Sequence, residues 1–239
     1  TPEKALLALP ADSVVTLPDL ERWFERRHGG LEAIDRLGQL IDSHGDRVLF
    51  LLSCNEYTFQ LFRRLGRLDD QLMATVQCQP LDAASLRQAV MVRHESSGLA
   101  LRLANQPLKL GEWSLARLFS RLFHYSGGWL GPAMQAWIGH IVSVTDDTVT
   151  MRNPRPLDLH PLDGLDKSWV ALLIELALHR RIAADRLARV VGTTEIELAR
   201  EIQTLQRAGL VVENSDRSLQ IDPFVAHHIH LWLRKREVL

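Results

Sequence analysis

Apolar residues in this chain fall into short compact runs and into helical spacings that alternate along its length. SVVTL (13–17) and VLFLLS (48–53) are runs of the first kind, bounded by turn residues and joined through a segment of helical spacing. That is the pattern of two neighbouring parallel strands with a helical crossover, and both strands are expected to be buried. The crossover reads as helix over 20–43, interrupted at His28-Gly29-Gly30, so that LEAIDRLGQLID forms a second helix after a glycine elbow. A short helix and a turn over 1–12 lead into the first strand. After Asn55, YTFQLFRRL reads as a helix with Tyr57, Phe59 and Phe62 packed inward and Arg63, Arg64 and Arg67 facing out. MATVQCQ then reads as a further strand. Past Pro80-Leu81 a helix starts near Asp82 and stops at Arg93-His94, with His94 placed to interact with the C-terminal end of the helix dipole.

Two more amphipathic helices, EWSLARLFSRLFHY and GPAMQAWIGHI, flank Ser126-Gly127-Gly128, and VSVTDDTVTMR alternates as a hairpin should. The Pro-rich stretch 153–166 is the best candidate for a domain boundary. Beyond it come three helical patterns, SWVALLIELALHRR, AADRLARVVG and TEIELAREIQTLQRAGL, then the strand-like pieces LVVEN and SLQID. Thr194 and Glu197 have capping-box spacing and mark the start of the third helix. In the last helix, PFVAHHIHLWLRKREVL, Phe224, Ile229 and Trp232 are expected to pack. His227, His228 and His230 are expected at the rim, since no carboxylate or cysteine joins them at helical spacing to make a metal site.

Composition narrows the picture. The 239 residues suffice for one or two domains, with 46% hydrophobic and 24% charged residues, an ordinary globular balance. The net charge of -1 gives no bulk attraction to a polyanion. No apolar run reaches the roughly 18 residues of a membrane span and no signal peptide is visible, so no membrane partner is expected and cytoplasm is the expected compartment. Cys54 and Cys78 lie in apolar segments and read as two buried thiols.

Candidate chemistry gathers where chemistry gathers in open α/β sheets, at the carboxyl ends of the strands: Asp19, Glu21 and Asn55. Asp19 and Asn55 also suit helix N-caps. A strand, an acidic turn, a helix, a strand ending in Asn and an arginine-bearing helix together resemble the second half of a P-loop ATPase core of the AAA+ or STAND type. The resemblance implies that Val14 to Leu17 are the Walker B strand, that Asp19 or Glu21 places magnesium or water, with Asp19 the metal ligand, and that Asn55 is sensor 1 and orients the attacking water. It makes Arg67 the candidate arginine finger. Pro18-Asp19-Leu20-Glu21 departs from the family's adjacent acidic pair, and Trp129-Leu130-Gly131 stands where the family's lid has Asn-Pro-Arg. Nothing matches G-x-x-x-x-G-K-[ST]. The chain starts at Thr1 about a dozen residues before the first strand, so it is expected to be a piece of a longer polypeptide with the phosphate loop upstream. ATP and magnesium are then expected only if that loop is supplied, and no cofactor for this chain alone.

On this reading the fold class is α/β and predominantly helical: a partial P-loop NTPase sheet over 1–80, a helical lid with a hairpin over 81–152, a linker over 153–167, and a C-terminal module over 168–239. Three helices and a hairpin resemble a winged helix, which raises DNA as a partner. The expected recognition helix opens with Glu195 and Glu197. From 168 to 239 there are ten Lys or Arg (Arg180, Arg181, Arg186, Arg189, Arg200, Arg207, Arg217, Arg234, Lys235, Arg236) against nine Asp or Glu (Glu175, Asp185, Glu195, Glu197, Glu201, Glu213, Asp216, Asp222, Glu237), so DNA is disfavoured. The expected function is a regulatory or assembly module of an AAA+/STAND-like ATPase, not catalytic on its own, with a protein partner or self-association. The alternatives are a degenerate ATPase-like interaction scaffold and a DNA-binding winged-helix regulator.

Overall fold

The computed structural model describes residues 2–104, 111–155 and 157–237. The fold is mixed α/β and predominantly helical, with small sheets, and the chain divides into two compact units. The first comprises Thr1–Gln77, Leu165–Asp222 and Leu233–Leu239; the second comprises Cys78–Gly164 and Pro223–Trp232.

In the first unit, helix α1 (Pro2–Leu7) leads to strand β1 (Ser13–Leu17); helix α2 (Glu32–His44) crosses to strand β2 (Val48–Leu52), and helix α3 (Glu56–Arg64) follows. β1 and β2 pair in parallel, with Ser13 opposite Val48 and Leu17 opposite Leu52, as the apolar runs predict. They are not buried on both faces. Val14, Leu49 and Leu51 are 59, 52 and 58% exposed, because the sheet has two strands and only one of its faces is covered. The expected helix over 20–27 is a single 3-10 turn, Leu20–Arg22, followed by irregular chain. Its carbonyls are claimed from outside: Arg186 donates to the oxygens of Arg22 at 3.0 Å and Phe24 at 3.1 Å. The expected strand MATVQCQ is absent. That segment has no regular structure and pairs with no described strand, with Met73 91% and Val76 88% exposed, and Cys78 is exposed rather than buried.

The same unit takes up helix α7 (Lys167–His179), the short strand β6 (Ile182–Ala183), helices α8 (Ala184–Val191) and α9 (Glu195–Arg207), and strands β7 (Val211–Glu213) and β8 (Ser218–Ile221). The sheet order is β6-β8-β7, antiparallel throughout; β6 is too short for periodicity to reveal. The capping box on α9 forms as its spacing predicts, with the Thr194 hydroxyl accepting from the Glu197 amide and the Glu197 carboxylate accepting from the Thr194 amide. Leu20, Phe24, Ile34, Leu37, Phe62 and Leu68 share a core with Leu178 of α7, so residues more than 100 positions apart complete one interior.

The second unit holds helix α4 (Ala83–Glu95), strand β3 (Ala100–Leu103), helices α5 (Glu112–Ser126) and α6 (Leu130–Gly139), strands β4 (Ile141–Thr145) and β5 (Thr148–Met151), and residues 223–232 of helix α10 (Pro223–Lys235). Asp82 caps α4, accepting from the Ser85 amide at 2.8 Å. The hairpin β4-β5 forms as expected, and β3, which the pattern does not show, adds to β5 in parallel. His94, in the last turn of α4, is buried against Trp137, with ring centroids 5.5 Å apart, and burial lowers its pKa. In α10, Ile229 and Trp232 are buried as expected, whereas Phe224 is exposed and His228 lies inside rather than at the rim.

Gly128 joins α5 to α6 at φ +84°, and a Cβ there would lie 2.3 Å from the carbonyl oxygen of Leu81, whose amide donates to the Gly128 oxygen at 2.9 Å. Gly128→Ala is therefore expected to cost about 1–3 kcal/mol, through backbone strain and a displaced hydrogen bond, read as a lowered melting temperature. An unchanged melting temperature would show that this turn is not under constraint.

Candidate functional site

The carboxyl ends of β1 and β2 bring Asp19, Glu21 and Asn55 to one place, and α7 lies against them. Glu21 is only 2% exposed, and its Oε2 accepts from the Asn55 amide at 3.0 Å. Asn55 is the N-cap of α3: its Oδ1 accepts from the Tyr57 amide at 2.9 Å, while its Nδ2 donates to the carbonyl of Ala177 at 2.6 Å. Thr58 donates to the carbonyl of Leu178. The end of α7 has carbonyls that no helical amide can reach, and two side chains of α3 meet them.

Asp19 takes a left-handed conformation, φ 55° and ψ 51°, which aspartate tolerates better than most residues. Its side chain caps nothing, and its Oδ1 lies 3.8 Å from the guanidinium of Arg180. Arg67 is apart from this group, its Nη1 3.1 Å from Asp35. The donor set around Asp19 does not fit a magnesium ion: its one carboxylate faces a cation, that of Glu21 is turned to an amide, and no three His, Cys, Asp or Glu side chains converge among the described residues.

The residues that organise the seam belong to none of the sequence motifs. His179, fully buried, donates its Nδ1–H to the Glu21 carbonyl at 2.9 Å, and its ring stacks on Phe24 with centroids 4.5 Å apart. Burial keeps His179 neutral by lowering its pKa. One turn earlier in α7, buried Glu175 pairs with Arg26 at 2.5 Å; burial raises its pKa and the arginine opposes that rise. Glu25 receives Arg186, Arg189 and Arg27. Burial works against its ionisation, but the hydrogen bonds from Arg27, Arg189 and Arg186 outweigh it and hold the carboxyl down at about 2. Cys54, next to Asn55 in the chain, is pushed up to about 12, chiefly by burial, and is no nucleophile. A signal was present: Glu175 and His179 stand four apart inside the otherwise apolar helix VALLIELALH, where a polar side chain needs a partner.

No family model matches the chain, and no curated protein does. Among solved structures it is similar to the ORC2 protein of Aeropyrum pernix in its ADPNP-ADP complexes, at 13% identity and a TM-score of 0.39, covering 94% of this chain and 64% of that one. It is also similar to CDC6P of Pyrobaculum aerophilum, at 14% identity and a TM-score of 0.28, covering 95% and 67%. The chain thus spans less than two thirds of the ORC2 chain. At these scores the likeness adds nothing to the fold class read from the elements themselves.

Proposed function

We propose that this chain is an ATPase-like assembly module: a partial P-loop-type layer bound to a C-terminal winged-helix unit, with no turnover of its own. The observation that carries this reading is the use made of Asn55 and Glu21. Asn55, placed where sensor 1 would stand, spends both ends of its amide on capping α3 and holding α7. Glu21 is buried and turned to the Asn55 amide. ATP and magnesium would enter only with a phosphate loop supplied by a longer polypeptide. The order helix, strand, helix, helix and hairpin, with sheet order β6-β8-β7, supports the winged-helix reading of residues 167–221.

A protein partner or self-association suits the surface better than DNA. Val14, Leu49 and Leu51 form an exposed apolar strip on the two-stranded sheet, and α9 opens on Glu195, Glu197 and the exposed Ile196, a start poorly suited to phosphates. Asn55→Ala is expected to cost about 1–3 kcal/mol of stability by removing a cap and a buried hydrogen bond. It is read by urea denaturation alongside ATP hydrolysis assayed with magnesium. Hydrolysis by this chain that Asn55→Ala abolishes with no loss of stability would overturn the proposal.

A further inference from the structure

The second unit contains a hollow lined by none of Asp19, Glu21 and Asn55. A cavity of about 480 Å³ opens between the ends of β3 and α6, the middle of α5 and the chain leaving β5. It is lined by Arg121, Arg152 and Arg155, together with His140 and Asn153. A second cavity of about 730 Å³ shares Arg121 and Arg155 with the first and adds His124, Tyr125, Pro154, Leu157 and His228. Both volumes fall within the range of small-molecule sites, roughly 300–1,000 Å³.

Three features separate this hollow from an ordinary solvated surface. Among the described residues no Asp or Glu lines either cavity and Arg121, Arg152 and Arg155 make no ion pair, so three arginines line the first cavity with no acidic side chain beside them. Arginine is the side chain best matched to phosphate oxygens, through its planar fork of donors. Each cavity also holds a buried polar atom without a protein partner: Asn153 Oδ1 in the first and Nε2 of His228, a residue 8% exposed, in the second. Buried polar atoms are nearly always hydrogen-bonded, and these two belong to residues of the cavity walls. Asn153 Oδ1 calls for a donor such as a hydroxyl or amino group, and neutral His228 can accept or donate according to its tautomer. Finally, the second cavity has walls for a ring. Tyr125 packs its edge on His228 at 4.5 Å, beside Pro154 and Leu157.

We propose that this hollow binds a small phosphorylated organic ligand, its phosphate held by Arg121, Arg152 and Arg155 and its hydroxyl-bearing ring against Tyr125, Pro154 and Leu157. The site stands independently of the assembly role, because it uses neither Asn55 nor Glu21.

The test is calorimetric titration of the whole chain, in a phosphate-free buffer at low salt, with adenosine monophosphate, ribose 5-phosphate, adenosine and inorganic phosphate. At least one of the two phosphate esters is expected to bind at one site per chain, about tenfold or more tighter than adenosine and than inorganic phosphate. Arg155→Ala and Arg152→Ala, both at exposed side chains, are each expected to weaken that binding about tenfold, the usual order for a lost charge-assisted hydrogen bond, with the melting temperature unchanged. Failure of both esters to bind, binding that survives both substitutions, or inorganic phosphate binding as tightly as the esters would each overturn the proposal. Magnesium and ATP turnover play no part in this readout, so its failure leaves the assembly role standing, and the reverse.

Discussion

Phe24→Ala is expected to remove about 3–5 kcal/mol of stability from the first unit, the usual cost of truncating a buried phenylalanine. Phe24 is fully buried, with its ring edge-on to Phe62 at 5.1 Å and stacked on His179 at 4.5 Å. It reaches both α3, at Phe62, and α7, at His179, so the cavity it leaves would have walls on three elements that cannot all close on it. Against a total stability of about 5–15 kcal/mol, that loss is a large share. The substitution also removes the ring that orients His179, whose Nδ1 holds the Glu21 carbonyl. Urea denaturation measures the effect. A loss below about 1 kcal/mol would mean that the turn is peripheral, and the seam between β1 and α7 would have to be rethought.

Acid is expected to destabilise this protein well above the usual carboxylate range. His228 and His230 are held down to about 4, and His94, His179 and His227 are also lowered, in each case chiefly by burial. These rings are neutral in the folded chain but take protons near 6.5 once unfolded. Between pH 6.5 and 4 the unfolded state therefore binds more protons, and stability falls as pH falls. Each such histidine contributes a slope of about 1.4 kcal/mol per pH unit inside that window, so two or more make the loss steep. Glu175 acts in the opposite sense, since its raised pKa favours the folded state as it protonates, but it is one group against five. Glu25, at about 2, stays ionised throughout. Scanning calorimetry from pH 7 to 4.5 reads the slope, and His228→Phe is expected to reduce it by one proton while keeping an aromatic edge for Tyr125. A melting temperature flat over that range would contradict the burial of these rings.

The elements were largely legible and the candidate site was only partly so. Caps at Asn55, Asp82 and Thr194 announced their helices because a cap is a contact within three residues of itself. The parallel pair β1 and β2 was visible for a similar reason, two compact apolar runs joined by a helical crossover. MATVQCQ has the same composition as a strand and yet forms none, since a strand exists only where another offers its hydrogen bonds. β3 and β6 are the converse, too short to show a period yet placed beside strands that pair with them.

Asp19, Glu21 and Asn55 could be marked as a group from sequence, because topology brings strand ends together. What each side chain does could not be marked. Asn55 meets the Ala177 carbonyl across 122 residues, and His179 meets Glu21 across 158. The residues 20–27 are helical by periodicity, but Arg186, more than 160 positions away, takes the carbonyls a helix would have used internally. The sequence by itself determined where helices start, which runs are apolar and which residues crowd the strand ends, since those depend on neighbours within a turn or two. Only the tertiary structure decided which backbone groups were left for distant side chains, and so which polar residues fasten the fold and which line an open hollow: burial and hydrogen bonding are settled by whatever the folded chain places alongside.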